Sequence, residues 1–246
     1  MNLTTKITTA GFLALGLCAA PRLAFAQTMQ WTDNGYASLN VGIQAGSHDL
    51  NTSSSFPLYD ETATVTSAQK VTSGAFFEIG GAYRVWGRNV LAGVSYTHTT
   101  SDADVSISGS IPDPAFTDSP RSVTSSQSGA KHTENVVHLD VIWMVPVANK
   151  TDVGVFAGPT IFSTKQQTIT SLTVTEPTPT VTAPLDKVSK TSLGFNLGAD
   201  LQYMVNKRYG VGGIVRYTWG SADIDGATEN LTVGGFQIGV GARVRF

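Results

Sequence analysis

The chain has 246 residues, of which 41% are hydrophobic, and its formal net charge is −2. This slightly acidic balance gives no basis for a nucleic-acid partner. The four histidines are scattered and have no cysteine spacing around them, so the sequence carries no metal-site signature.

The first 26 residues have the layout of a secretory signal peptide. Lys6 precedes an apolar stretch over residues 10–20, and Ala24-Phe25-Ala26 forms a small-residue cleavage site. An amphipathic first helix is the alternative interpretation. We expect cleavage after Ala26, so that residues 1–26 are a signal peptide and residues 27–246 form one domain. Cleavage would remove the only cysteine and leave 14 basic residues against 18 acidic ones.

Eight segments of the remaining chain alternate between apolar and polar residues, which is the pattern of β-strands with two different faces. They cover residues 36–48, 75–86, 90–99, 134–144, 153–162, 192–205, 209–219 and 233–246. No segment has a helical period. Pro159 lies inside the fifth strand, where it should break a ladder hydrogen bond or sit at a bulge.

The polar face of these strands is built mainly from glycine, serine, threonine and asparagine, with few charges. Small residues suit a crowded interior, because eight strands enclose a lumen only wide enough for side chains. The apolar face must then point outward into lipid, where a closed barrel leaves no backbone hydrogen bond unmet. The sequence therefore predicts an all-β fold, an eight-stranded antiparallel transmembrane up-and-down β-barrel.

The lengths of the links between the strands support this topology. Long links at 49–73, 100–133 and 163–191 and a medium one at 220–232 alternate with short links at 87–89, 145–152 and 206–208. Transmembrane barrels have short periplasmic turns and long outer loops. The long links are rich in serine and threonine, and two interpretations stay open: strands that continue above the membrane as hairpins, or unstructured linkers. The third long link is expected to turn near Glu176–Pro179.

Aromatic residues on the outward face are predicted to form two girdles at the membrane interfaces. The lower girdle comprises Tyr83, Trp143, Tyr203 and Phe246, and the upper one comprises Tyr96, Tyr217 and Trp219.

With its signal peptide, alternating segments and one-sided long loops, the chain resembles the small outer-membrane β-barrels of Gram-negative bacteria, the OmpA/OmpX-like membrane domains. In that family a terminal aromatic residue, with apolar residues at alternate positions before it, is the signal for the barrel-assembly machinery. The matching positions here are Phe246, Val244, Ala242, Val240 and Ile238. The resemblance implies location in the outer membrane, with lipid, lipopolysaccharide and the assembly machinery as partners.

Strand parity places charged residues in the lumen: the acids Glu78, Glu134, Asp140 and Asp200, and the arginines Arg84, Arg216, Arg243 and Arg245. Asp200 and Arg216 lie on neighbouring strands at similar depth and are predicted to pair. Arg84, Arg243 and Asp140 lie lower and could form a second cluster. Two interpretations are open: a polar plug that holds the barrel together, or a narrow gate whose ion pairs exchange.

These features predict a non-catalytic integral barrel with a structural or surface-interaction role, whose loops are available to an extracellular ligand. The alternative is a narrow pore or small-molecule conduit. A lipid A-modifying enzyme is a third interpretation, in which His98 would activate Ser101, although the deacylase spacing of histidine and serine is not present. His138 is expected to be a hydrogen-bonded lumen residue, and His48 and His132 to be solvated. The sequence predicts no enzyme activity, no metal site and no cofactor.

Overall fold

The computed structural model describes residues 31–45, 48–71, 73–169, 173–175, 180–182, 185–222 and 231–246. The predicted signal peptide and its cleavage site lie outside these residues. In the described part of the chain, no helix is long and apolar enough to cross a membrane.

Twelve strands make up the regular structure of the described residues. They are β1 (Gly35–Ala45), β2 (His48–Leu58), β3 (Glu61–Val71), β4 (Gly74–Trp86), β5 (Val90–Ile111), β6 (Arg121–Ala148), β7 (Thr151–Ile169), β8 (Thr173–Thr175), β9 (Thr180–Thr182), β10 (Leu185–Met204), β11 (Tyr209–Ala222) and β12 (Leu231–Arg245).

Eight of these strands close into an antiparallel barrel in the order β1-β4-β5-β6-β7-β10-β11-β12. The seam joins β1 to β12, with Tyr36 opposite Arg245 and Ala45 opposite Phe236. Backbone bonds of the terminal residue extend this seam, because the amide of Phe246 donates to the carbonyl of Gly35 at 3.1 Å. The predicted fold class, eight-stranded up-and-down topology and strand order are confirmed.

The apolar parity of each barrel strand faces outward, as predicted. On β1, for example, Leu39, Val41 and Ile43 are 45%, 55% and 58% exposed. On β11 the outward apolar series runs from Tyr209 to Trp219, and ten residue steps of ~3.3 Å at a tilt of ~40° give a band about 25 Å tall. The residues of both predicted aromatic girdles are exposed on this outer surface.

Several strands continue well beyond the membrane band. β5 has 22 residues and β6 has 28, whereas a tilted strand needs only about 10 residues to cross the hydrocarbon layer. The expected ends of these strands, at residues 99 and 134, are therefore wrong. Alternating Ser/Thr and apolar residues keep the ladder paired after the lipid contact has ended.

The upper parts of β5 and β6 join the β2–β3 hairpin in a four-stranded sheet, in which β3 pairs with β5. It lies on the side of the long links, which are expected to face the cell exterior, and is named the extracellular sheet for that reason. Its inner face has a small core of its own: Ala63, Ile111 and Val123 are buried, and Phe56 and Leu58 pack against them. The hairpin interpretation is confirmed for these two links. In the third link β8 pairs with β9, with Thr175 opposite Thr180, while the predicted turn at Glu176–Pro179 lies outside the described residues.

The irregularity expected at Pro159 is present. The β6–β7 ladder pairs His138 with Thr160 and Val141 with Ala157, and it is interrupted between these pairs. Proline has no N–H to donate, so the ladder loses a bond on this side. At the same place Gly158 lies so close to the Leu139 carbonyl that an added Cβ would be 1.8 Å from its oxygen.

Candidate functional site

The barrel lumen is the candidate site, because it contains the buried charges. Seven of the eight predicted residues are buried there, at 0–8% exposure: Glu78, Glu134, Asp140, Asp200, Arg216, Arg243 and Arg245. A buried charge requires a partner, so their contacts determine what the lumen can do.

The middle of the lumen is crossed by Arg216, which reaches from β11 to the opposite wall. Its Nη1 forms an ion pair with Glu78 on β4, and its Nη2 donates to Ser95 at 3.3 Å. Asp140 lies 4.0 Å from the same guanidinium, which also stacks on the ring of Phe156 at 5.1 Å. One arginine thus connects β11 with β4, β5, β6 and β7.

Arg243 forms the next contact toward the periplasmic end. Its Nη2 and Nε donate to the two carboxylate oxygens of Asp200 at 2.5 and 3.1 Å. Its Nη1 donates to Asn40 Oδ1 at 2.7 Å, and Asn40 Nδ2 donates in turn to Glu78 at 2.7 Å. Asn40 therefore joins this ion pair to that of Arg216.

Arg245 extends the network to the periplasmic mouth. It forms an ion pair with Asp152 at 2.5 Å and donates from Nη2 to Gln202 Oε1 at 2.9 Å. Gln202 Nε2 donates to Asp200 at 2.8 Å. A continuous series of ion pairs and hydrogen bonds therefore runs from Asp152 at the mouth to Arg216 in the middle of the barrel.

Trp31 lies against the periplasmic end of this network. It precedes the first strand, yet it is 2% exposed and packs with the lumen residues Tyr36, Leu91, Met144 and others. The Arg245 guanidinium lies 5.9 Å from the centre of its ring. The segment before β1 therefore places an indole in the mouth of the barrel.

The outer end of the lumen is organised around Glu134. His132 Nε2 lies 3.0 Å from its Oε1, Gln44 Nε2 donates to its Oε2 at 2.9 Å, and the amide of Gly234 donates at 3.3 Å. His132 is 2% exposed, so the expectation that it is solvated is wrong. It lies on the inner face of β6, because this strand extends further than the sequence pattern suggested. The side chain of His48 lies outside the described residues.

His138 has the structural role expected of it. Its Nδ1 lies 3.0 Å from Thr160 Oγ1, and Asn196 Nδ2 donates both to that hydroxyl at 3.1 Å and to Asp140 at 2.8 Å. These contacts join β6, β7 and β10 next to the ladder gap at Pro159.

Two predicted groupings are wrong. Asp200 and Arg216 do not pair. In the β10–β11 ladder Asp200 is opposite Ile214 and Arg216 is opposite Gly198, so the two charged residues are offset by two positions and each binds a partner on another strand. Arg84 does not join Arg243 and Asp140. It is half-buried at the periplasmic rim and donates to Asn34 Oδ1 at 2.8 Å, because its strand ends there.

The geometry gives no support to the histidine–serine pair of the enzyme interpretation. His98 is exposed on the outer face of β5, where its Nδ1 lies 2.8 Å from Asn135 Oδ1, whereas Ser101 is buried on the opposite face. Among the described residues, no group of three or more histidine, cysteine or acidic side chains could hold a metal ion.

The space between the charged side chains in the middle of the lumen is small. A cavity of about 30 Å³ lies between Arg216, Asp140 and Asp200, which is room for one or two water molecules. A recess of about 590 Å³ opens at the periplasmic end beside Asp33, Lys150 and Arg245. Side chains therefore fill the middle of the barrel, while this recess at the periplasmic end is open to solvent.

The sequence pattern did not single out several residues of this network. Asn40, Gln44, Asn196 and Gln202 share the lumen parity of their strands, so that signal could have indicated them. Trp31 lies outside any alternating segment and had no such signal.

Comparison with protein families gives one match across most of the chain. The model described as "Outer membrane protein beta-barrel domain" matches residues 10–243. The chain belongs to this family. Its members are outer-membrane β-barrels, which places this barrel in the outer membrane and its apolar exterior in lipid. Among curated proteins, none matches the chain in sequence.

The chain is also similar to solved structures, of which three are the following. Neisserial surface protein A is 12% identical, and the match covers 86% of this chain and 97% of that chain, with a TM-score of 0.47. OprG from Pseudomonas aeruginosa is 13% identical, covering 88% and 98%, with a TM-score of 0.45. The outer membrane protease OmpT from Escherichia coli is 9% identical, covering 89% and 99%, with a TM-score of 0.41.

Proposed function

We propose that this chain is a sealed, non-catalytic outer-membrane barrel whose role is to hold the extracellular sheet at the cell surface. The observation that supports the seal most directly is the continuous network from Asp152 to Arg216, which fills the lumen and joins opposite walls. Trp31 adds an apolar cover at the mouth.

The energetics of the network favour a permanent brace over a gate. Each central arginine binds a carboxylate and at least one further polar group, and the two ion pairs are linked through Asn40. Removing one member of a buried ion pair leaves a buried charge without its partner, which typically costs about 3–5 kcal/mol. An exchange of partners would have to pass through such a state.

The non-catalytic part of the proposal is supported by the placement of His98 and Ser101 on opposite faces of β5. It is tested by expressing the chain in a Gram-negative host and measuring the mass of lipid A. We expect no mass change. A shift that disappears in His98→Ala would establish the enzyme instead.

Planar-bilayer recording of the refolded chain tests the seal. The wild type and Arg216→Ala should both show no current steps above the bare bilayer, with a refolded general porin as the positive control. Discrete steps in the wild type, with a size or ion selectivity that changes in Arg216→Ala, would establish a narrow pore in place of the sealed barrel.

A further inference from the structure

The outward face of the extracellular sheet presents three rows of side chains in register across its strands, and ten of the twelve positions carry a hydroxyl group. The rows across β2, β3, β5 and β6 are Ser55–Thr64–Ser110–Ser122, Ser53–Thr66–Ser108–Thr124 and, nearest the membrane, Asn51–Ala68–Ser106–Ser126. These side chains are exposed. Neighbouring strands lie ~4.8 Å apart and successive rows ~6.8 Å apart, which makes a regular array of donors and acceptors.

This array is not required by the fold of the sheet. The opposite parity, which includes Val65, Ile107 and Val123, is buried and supplies the apolar packing. At positions that are exposed to water, lysine or glutamate would be as compatible with the fold as serine. None of the positions in the three rows is charged, which favours a partner that is itself neutral and rich in hydroxyl groups.

The hydroxyl face is continuous with the lipid-facing surface. On β5 the same outward parity begins with Val94 and Tyr96 in the apolar band and reaches Asp102, which forms an exposed ion pair with Lys131 at 2.5 Å. It then continues through the serines to Ser110. Ser108 is twelve residues beyond Tyr96, which corresponds to roughly 30 Å above the girdle at ~3.3 Å per residue and a tilt of ~40°.

Along the strand the outer surface is thus apolar, then charged, then hydroxyl-bearing. A glycolipid of the outer leaflet has the same order, because its acyl chains are followed by a charged headgroup and then by sugars. We infer that the three hydroxyl rows bind the neutral saccharide of the outer-leaflet glycolipid that surrounds this same barrel. This inference rests on the proposed role of displaying the sheet.

The chemistry of the rows favours a ligand in the same membrane over a soluble glycan. No aromatic side chain belongs to the rows, so binding relies on water-exposed hydrogen bonds, each of which contributes little. Weak contacts suffice when both partners are held in one membrane, because the effective concentration of the ligand is then high.

Hydrogen exchange of the processed, refolded chain in nanodiscs tests the inference. One set of discs contains lipopolysaccharide with its complete saccharide, a second contains lipid A without saccharide, and a third contains lipid A with the released saccharide in solution. If the local saccharide concentration is about ten times its Kd, amide exchange in residues 62–68 and 104–110 should be about ten-fold slower in the first set alone.

Variants link this protection to the hydroxyl groups. The combination Thr64→Val, Thr66→Val, Thr124→Val and Ser108→Ala removes hydroxyls from the two rows farther from the membrane, and valine keeps the shape and strand preference of threonine. The control combination Thr117→Val, Ser189→Ala and Thr191→Val removes exposed hydroxyls elsewhere on the extracellular side. Heat-modifiable mobility on gels confirms folding, and Ser108→Asp provides a single-site variant that places a charge among the rows.

We expect protection in the wild type and the control, and none in the row variant or Ser108→Asp. Equal exchange in the first two disc types, or protection that persists in the row variant, would overturn the inference. Protection by the dissolved saccharide as strong as that by lipopolysaccharide would overturn the assignment to the same membrane. Current steps in planar bilayers would contradict the proposal of a sealed barrel without changing the hydrogen-exchange result. The sealed barrel and the saccharide site can therefore be disproved independently.

Discussion

The guanidinium of Arg243 on β12 passes over Gly212 on β11 and binds both carboxylate oxygens of Asp200 on β10. A Cβ at position 212 would lie 2.7 Å from the guanidinium carbon and 2.8 Å from the Leu201 carbonyl oxygen. The absence of a side chain on the middle strand is therefore what allows an ion pair to span two strand spacings.

Gly212→Ala should destabilise the barrel through this contact. The methyl group would push Arg243 away from Asp200 in a closely packed interior, and we expect a loss of about 1–3 kcal/mol. The measurement is the free energy of unfolding in denaturant of the chain refolded in lipid vesicles. Gly213→Ala is the matched control, because a Cβ there would meet only the Gly239 carbonyl oxygen, at 3.7 Å. Equal effects of the two substitutions would contradict the explanation.

Arg216 and Glu78 should be strongly coupled. Arg216→Met should lower the free energy of unfolding by about 3–5 kcal/mol, because it leaves Glu78 buried without its cation. Glu78→Gln added to it should restore part of the loss. A double-mutant cycle measures the coupling, and strict additivity, within about 0.5 kcal/mol, would contradict a direct interaction.

Trp31 should stabilise the barrel although it precedes the first strand. Trp31→Ala removes a buried indole from the periplasmic mouth, and we expect a loss of about 3–5 kcal/mol. Trp86→Ala is the control, because this side chain is 79% exposed. Acrylamide quenching provides a second readout: in a variant that keeps only Trp31, its fluorescence should be protected, and quenching as strong as that of free tryptophan would contradict burial.

Substitution of Phe246 should affect assembly in the outer membrane much more than the stability of the folded barrel. The backbone bonds of Phe246 to Gly35 close the seam, whereas its ring is 59% exposed. Phe246→Ala keeps the backbone bonds, so the refolded barrel should change in stability by about 1 kcal/mol or less. In cells, the heat-modifiable fraction in the outer membrane should fall several-fold if Phe246 belongs to the assembly signal. Unchanged assembly would remove Phe246 from that signal, and Val244→Ala tests the next position.

The orientation of the barrel wall has a direct test. Val240 is outward and near the middle of the apolar band, so Val240→Arg should cost about 2–4 kcal/mol in a bilayer. Thr66→Arg, on the outward face of the extracellular sheet, should leave the free energy of unfolding nearly unchanged. A similar loss at both positions would show that the band does not face lipid.

The sequence by itself determined the number of barrel strands, their inward and outward faces, the side on which the long links lie and the positions of the aromatic girdles. These properties follow from a local rule. Successive side chains of a strand point to opposite faces, so the polarity of every second residue indicates whether that face meets lipid or the polar lumen. The alternation at Leu39, Val41 and Ile43, for example, needs no knowledge of neighbouring strands.

Only the tertiary structure decided which charges meet. Arg216 binds Glu78 across the lumen instead of Asp200 on the adjacent strand, and this choice depends on the offset between strands and on the reach of a long side chain. The burial of His132 and Trp31 is equally non-local. The first depends on how far β6 continues above the membrane, and the second on how the segment before β1 folds back into the mouth.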